Sequence, residues 1–194
     1  MRRESHLPNS LPMREQTMSR QRGIAVAGLL AACLLVGGCR HVPHSAAPTA
    51  GERMLFSFER RTMMPMYSGS APRAIVPQHA THGKHALRLK LSPGRETIIL
   101  DTGGFPMDWR GWQRLKVDIY REGAPIKMNL RVSDRHGKRH WVWGVPLSTG
   151  ASTLTYEISP LSEKIDLSAV SELMWYAEDP SGEIYLDAVR LSRS

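Results

Sequence analysis

Apolar and polar residues alternate in short runs along the chain after residue 50. The alternation is clear at Leu87, Leu89 and Leu91, and again in residues 114–121 and 126–133. A period of two places one set of side chains on one face of a β-strand and the other set on the opposite face. No stretch in this region carries an apolar stripe at the helical period, so the pattern predicts strands.

Turn-forming residues separate these runs, as at Pro93-Gly94 and at Pro180-Ser181-Gly182. About nine strands at this spacing are typical of an antiparallel sandwich. The sequence therefore predicts an all-β fold, an antiparallel jelly-roll β-sandwich of about 8–10 strands. One short helical turn is expected near residues 160–170, with Ser168 as its cap.

An apolar segment near the N-terminus has a different character. Arg20 and Arg22 precede the apolar run 24–36, and Gly37, Gly38 and Cys39 follow it. A basic start, an apolar run and small residues are typical of a secretory signal peptide, and this run is too short to favour a permanent spanning helix. Residues 1–17 are polar, so translation starting at Met18 rather than Met1 would give a more usual signal length.

The sequence LVGGC, which ends at Cys39, resembles the bacterial lipobox. The resemblance implies a lipoprotein whose Cys39 carries lipid, including palmitate, and which contacts the membrane only through that anchor. Arg40 stands where an Asp commonly retains such lipoproteins at the inner membrane, so the resemblance implies the outer membrane. An ordinary signal peptide or a membrane anchor is the alternative that stays open.

The chain is accordingly divided into three parts. Residues 1–39 are an N-terminal extension with the signal peptide, residues 40–52 are a tether rich in Pro, Ala and Ser, and residues 53–194 form the sandwich. Both cysteines, Cys33 and Cys39, fall in the first part, so the sandwich has neither a thiol nor a disulfide.

Composition and motifs exclude several functions. The formal net charge is +8, but no basic cluster is longer than two residues, so nucleic acid is not an expected partner. No nucleophile elbow, zinc-protease motif or phosphate loop is present. Glu178 and Asp179 are adjacent and would face apart in a strand, which does not suit a glycosidase pair. The protein is therefore not expected to be an enzyme.

The order of motifs in the second half of the chain is recognisable. The patterns W.GW..L..DIY, IDLS.V..L and YLD.VRL resemble carbohydrate-binding modules of the galactose-binding-like β-sandwich type, including family 11 modules and CIA30-like relatives. The resemblance covers roughly residues 53–192. It implies binding of a polysaccharide or oligosaccharide through stacked aromatic rings and flanking polar groups.

The outward-facing positions on the sheet that would bind sugar form one candidate set: Asp118, Tyr120, Asn129, Arg131, Trp141, Trp143, Tyr176 and Glu178. Trp141 and Trp143 share a face because they are two residues apart in a strand. The alternative stays open that the tryptophans fill the core and that the polar residues form a solvated face.

Asp187 lies in an otherwise apolar strand, and the resemblance implies a structural calcium ion there. The implied ligands are Glu59 at the end of the first strand, carbonyls around Thr81 to Lys84, and Asp187 in the last strand. Calcium takes six to eight oxygen ligands of these kinds. The alternative is that Asp187 pairs with Arg60, Arg61 or Arg88, or that it faces solvent.

These observations predict a non-catalytic glycan-binding lipoprotein of the bacterial cell envelope. The alternative is an envelope adaptor domain that docks a protein partner and binds no sugar. A sugar site is expected to be a groove with exposed aromatic rings, whereas a docking face is expected to be flatter and more apolar.

Overall fold

The computed structural model describes residues 50–60, 66–93, 95–101, 107–178 and 181–194, without the side chains of Arg95, Glu96 and Glu178. These residues belong to the second of the two units into which the chain divides, His41–Ser194. The predicted signal, Cys39 and most of the predicted tether lie outside the described residues.

The described residues form eleven strands and two short 3₁₀ helices. The strands are β1 (Glu52–Phe56), β2 (Tyr67–Ser68), β3 (Arg73–Val76), β4 (Ala86–Leu91), β5 (Arg95–Asp101), β6 (Arg114–Glu122), β7 (Ile126–Asp134), β8 (Arg139–Leu147), β9 (Gly150–Glu157), β10 (Val170–Glu178) and β11 (Gly182–Ser192). The 3₁₀ helices are Ser159–Leu161 and Leu167–Ala169. Among the described residues, none of the helices has the length and apolar character needed to cross a membrane.

The strands form two antiparallel sheets. The six-stranded sheet has the order β3-β4-β11-β6-β9, with β1 also paired to β11, and the five-stranded sheet has the order β2-β5-β10-β7-β8. The predicted antiparallel sandwich is confirmed. The strand count exceeds the prediction because β2 and β3 have two and four residues, too few to show an alternating pattern.

The first and last strands lie side by side. β1 pairs with the second half of β11, with Phe56 opposite Val189, while β4 pairs with the first half. β6 pairs along the other side of β11. β11 is therefore surrounded by three strands, which explains why its residues from Ile184 to Val189 are all buried.

Alternation along the strands places the core between the two sheets. Leu115, Val117 and Ile119 of β6 are buried there, opposite Leu130 and Val132 of β7 in the other sheet. Burial of each large apolar side chain contributes about 1.5–3 kcal/mol. The sequence pattern thus correctly indicates which face of each long strand points inward.

Two of the predicted loop features need comment. Trp109 is fully buried in the core cluster and Trp112 packs against it, so both anchor the segment before β6. At the second 3₁₀ helix the predicted cap is wrong: Asp166 is the N-cap, and its side chain accepts a hydrogen bond from the backbone N–H of Ser168. A carboxylate is the stronger acceptor for the unpaired amides of a helix start.

Candidate functional site

Three aromatic side chains form a cluster on the outer face of the five-stranded sheet. Trp141 and Trp143 of β8 stack with ring centroids 4.7 Å apart and an angle of 18° between planes. Tyr176 of β10 meets both edge-on, at 5.8 Å and 6.2 Å. We call Trp141, Trp143 and Tyr176 the aromatic platform. The prediction that the two tryptophans share a face is confirmed.

Trp143 is the exposed member of the aromatic platform. Its relative exposure is 61%, whereas Trp109 and Trp175 are fully buried. An exposed tryptophan contributes nothing to core packing and leaves an apolar ring face available to a ligand. The alternative that Trp143 fills the core is therefore wrong.

A bulge between β7 and β8 positions the platform. The register passes from Leu130 opposite Val142 to Met128 opposite Val145, so that Asn129 faces two residues of β8. Gly144 takes a φ of +68° there, and its N–H donates to Oδ1 of Asn129 at 2.7 Å. A bulge re-aims the neighbouring side chains, and this one is fixed by the Asn129 amide.

Polar groups flank the rings. The guanidinium of Arg131 lies 5.6 Å from the centroid of the Trp141 ring, within the range of a cation–π contact. The same guanidinium donates from Nη2 to Glu172, whose carboxylate also accepts from the Ser133 hydroxyl at 3.2 Å. These contacts hold Arg131 flat against the platform.

Two shallow grooves lie on this sheet near the platform, one of them lined by Trp143 itself. One, of about 380 Å³, is lined by Lys127, Asn129, Trp143 and Gly144. The other, of about 420 Å³, is lined by Asp101, Arg131, Ser133, Asp134, Gly137, Arg139, Ser171 and Glu172. Together with the platform they provide apolar ring faces bordered by hydrogen-bond donors and acceptors, the features expected of a sugar site.

The predicted ligand set does not lie on one face. Asn129, Arg131, Trp141, Trp143 and Tyr176 are in the five-stranded sheet. Asp118 and Tyr120 belong to β6 in the six-stranded sheet, so the prediction that they join the same face is wrong. Alternation along a strand shows which of its side chains share a face, but it does not show to which sheet the strand belongs. Glu178 ends β10, and its side chain lies outside the described residues.

Asp118 and Tyr120 have partners on their own sheet. Asp118 accepts from Thr153 Oγ1 at 2.7 Å and forms an ion pair with Arg190 at 3.0 Å. The ring of His79 stacks on Tyr120, with centroids 3.5 Å apart and 9° between planes. This stack could not be predicted from the sequence, because His79, with a φ of +57°, reaches Tyr120 from a loop that no periodicity signals.

The residues predicted to hold calcium do come together. The backbone N–H groups of Thr81 and His82 each donate to Oδ2 of Asp187 at 2.7 Å, and the Ala188 N–H donates to Oδ1 at 2.7 Å. The N–H groups of Lys84 and His85 donate to Oε1 of Glu59, at 2.8 Å and 2.9 Å. We call residues 79–85 the carboxylate-binding loop.

These hydrogen bonds affect both carboxyl groups. Burial alone would raise the pKa of Glu59, but the amides of His85 and Lys84 outweigh it and hold the pKa below its usual value. Burial is the largest influence on Asp187 and raises its pKa, against the opposing hydrogen bonds from His82, Thr81 and Ala188.

The arrangement fits a calcium ion only in part. Glu59 and Asp187 contact the same loop, but Thr81 and Lys84 present N–H donors to them, and an N–H group cannot ligate a cation. The described residues contain no group of three or more His, Cys, Asp or Glu side chains arranged for a metal. The amides satisfy the buried Asp187 without an ion, so burial no longer argues for one. Calcium binding stays a prediction.

Solved structures of carbohydrate-binding modules have the same fold. A family 11 module from Clostridium thermocellum, in complex with a β-1,3-1,4-mixed-linked tetrasaccharide, matches with a TM-score of 0.59 and 14% identity, over 76% of this chain and 97% of that one. The family 11 module of a cellulosomal cellulase from the same organism matches with a TM-score of 0.53 and 14% identity, over 77% and 97% of the two chains.

A module-like portion of an enzyme also matches. An exo-β-agarase superposes with a TM-score of 0.61 and 14% identity, over 73% of this chain and 25% of that one. At these identities the comparisons show the fold alone, a β-sandwich of the carbohydrate-binding-module, galactose-binding-like type, as the sequence resemblance implied. No family model matches the chain, and no curated protein matches it.

Proposed function

We propose that this protein is a non-catalytic glycan-binding module that a lipid anchors to the bacterial cell envelope. The sugar would stack on the aromatic platform, and polar groups of the two adjoining grooves would bind its hydroxyls. The exposed ring of Trp143 beside the stacked Trp141 is the observation that carries the proposal. The fold supports it, since similar modules exist and one was solved with an oligosaccharide.

Substitution of Trp143 tests this function. Trp143→Ala should weaken binding to the recognised glycan by about tenfold or more, because a stacked aromatic contact is worth about 0.5–1.5 kcal/mol beyond its buried area. The full chain is screened on a glycan array, and the hit is measured by affinity electrophoresis. Because Trp143 is exposed, the variant should retain its melting temperature.

Tyr120→Ala is the matched control, since it removes an aromatic ring from the outer face of the other sheet. Binding should be unchanged by it. If no glycan on the array binds the folded wild-type chain, the sugar-binding proposal fails and the envelope adaptor takes its place. Equal losses for Trp143→Ala and Tyr120→Ala would remove the aromatic platform as the site.

We also propose that Cys39 carries the anchor and that the protein resides at the outer membrane. The basic start, the apolar run and the LVGGC sequence support this. In cells fed labelled palmitate, the wild-type chain should incorporate label and sediment with membranes. Cys39→Ser should do neither, and membrane-bound label on that variant would contradict the proposal.

A further inference from the structure

We infer that the glycan recognised by the aromatic platform carries acidic sugar residues, with carboxylate groups bound by Arg131 and Arg139. The inference rests on the proposed glycan-binding function and adds the chemical class of its ligand. It follows from the distribution of charge on the outer face of the five-stranded sheet.

The charged side chains that the structure describes on this face are divided between strands. The outward basic residues Lys127, Arg131 and Arg139 lie on β7 and β8, the strands that also hold Asn129 and the two tryptophans. The outward acids Asp101 and Glu172 lie on β5 and β10. A ligand stacked on the tryptophans therefore lies over the basic half of the sheet.

The two arginines differ in how far their charge is compensated. Arg131 is half-buried and paired with Glu172, and its Nε is buried without a hydrogen-bond acceptor among the described residues, so its charge is only partly compensated. Arg139 is exposed, and although its backbone pairs with Ser133 of β7, its guanidinium has neither an ion pair nor a hydrogen bond within the described part of the chain. Asp101, the other acid on this face, already takes part in a separate interaction.

The third acidic residue that lines the groove, Asp134, already has hydrogen-bond donors. Asp134 accepts hydrogen bonds from the backbone N–H groups of His136, Lys138 and Asp166, at 2.8 Å, 3.0 Å and 2.8 Å. These amides keep the carboxylate ionised but take up its acceptor positions, and Asp134 forms no direct ion pair with Arg139 among the described residues. Lys127 lies at the other end of the platform, toward Glu178. Because the side chain of Glu178 is not described, the charge near Lys127 is left aside and only the two arginines are used.

The positions of the arginines suit one acidic group between them. Arg131 pairs with Trp141 across the two strands, and Arg139 is two residues from Trp141. Diagonal neighbours of this kind are roughly 7–8 Å apart. The guanidinium of Arg139 can thus reach a carboxylate on a sugar that stacks on Trp141, and the N–H groups of Arg131 that Glu172 does not bind can reach the same carboxylate. Arginine binds a planar carboxylate through two parallel hydrogen bonds, which a neutral hydroxymethyl group cannot reproduce.

The experiment compares a polyuronate with its uncharged methyl ester and with other charged and neutral polymers. Polygalacturonate and its methyl ester are placed in native gels, with alginate as a second polyuronate, dextran sulfate as a sulfated polymer and a mixed-linked β-glucan as a neutral one. The full wild-type chain should be retarded by a polyuronate at least about tenfold more strongly than by the ester. Arg139→Gln should lose about tenfold of that binding.

Lys90→Gln is the matched control, because it removes the same charge from an exposed position on β4 in the other sheet. It should leave retardation within about twofold of the wild type, since a distant exposed charge is largely screened. Equal losses for Arg139→Gln and Lys90→Gln would mean non-specific attraction to a polyanion and would overturn the inference.

The remaining outcomes separate this inference from the proposed function. Equal retardation by polygalacturonate and its ester, or retardation by the neutral glucan alone, overturns the acidic-sugar inference and leaves glycan binding intact. Retardation by dextran sulfate without any polyuronate overturns the carboxylate assignment in favour of sulfate. If neither these gels nor the array gives binding, the proposed function fails as well.

Discussion

Gly83 determines how closely the carboxylate-binding loop approaches Glu59. Its φ is +72°, and a Cβ placed there would lie 2.5 Å and 2.8 Å from the two carboxylate oxygens of Glu59. Only glycine takes this conformation without strain and leaves room for the carboxylate. The hydrogen bonds from Lys84 and His85 to Glu59 depend on that approach.

Gly83→Ala should therefore lower the free energy of unfolding by roughly 2–4 kcal/mol, because backbone strain of about 1–3 kcal/mol adds to the displacement of Glu59. Gly137→Ala is the control: its φ is +81°, but a Cβ there meets nothing within 4 Å. Gly137→Ala should lose only the stability that the backbone strain costs, about 1–3 kcal/mol. Urea unfolding measures both variants, and equal losses would mean that contact with Glu59 is unimportant.

At the level of single residues, the sequence singled out several that matter. Trp141, Trp143 and Asp187 stood out because their residue types conflict with a simple buried strand. The stack of His79 on Tyr120 and the pairing of Arg131 with Glu172 could not be predicted. Both join residues that are far apart in the chain and that no period connects.

The carboxylate-binding loop is the element that ties the edge of the six-stranded sheet to Glu59 and Asp187. Glu59→Gln should cost about 1.5–3 kcal/mol of stability, because hydrogen bonds to a charged acceptor are worth about that much. Hydrogen exchange of the Lys84 and His85 amides should accelerate. Glu157→Gln, in an exposed ion pair with Arg114, should cost at most about 1 kcal/mol.

If Glu59→Gln and Glu157→Gln are equally mild and the two loop amides keep their protection, Glu59 does not hold the loop.

The calcium hypothesis makes a separate prediction for this element. EDTA should lower the melting temperature of the wild-type chain and should not change that of Asp187→Ala, since an ion bound to the native state stabilises it by mass action. Differential scanning calorimetry with and without EDTA measures this. An unchanged wild-type melt would mean that the amide hydrogen bonds suffice.

At the level of elements, the long strands were predictable and their partners were not. Alternation in β4, β6 and β7 indicated the inward faces correctly, since a sandwich core requires apolar residues at every second position. Asp118 and Tyr120 were nevertheless assigned to the wrong sheet. Which strands pair depends on connections across the whole sandwich, and a local pattern carries no information about them.

For the whole molecule, ionised carboxylates link stability to pH. Burial tends to raise the pKa of Asp134, but the amides of Asp166, Lys138 and His136 hold it below the usual value. Hydrogen bonds from Ser168 lower the pKa of Asp166, and the pKa of Glu59 is lowered too. These groups favour the folded state above their unfolded pKa values, and that stability is lost as the pH falls.

The melting temperature should accordingly drop by several degrees as the pH is lowered through about 4, where unfolded carboxylates take up protons. Asp187 opposes this trend weakly, because its pKa is raised. Melting curves between pH 7 and pH 3 test the expectation, and Asp134→Asn should flatten the drop. A wild-type melting temperature that stays constant over this range would contradict it.

The central position of β11 has a consequence for the order of events in the cell. β1, β4 and β6 all need residues 182–192 as their neighbour, so a nascent chain lacking them exposes three unpaired strand edges. Synthesis from the ribosome delivers those residues after every other strand of the sheet. The six-stranded sheet therefore cannot close before residues 182–192 have left the ribosome, and until then the edges of β1, β4 and β6 must be kept from pairing with other chains.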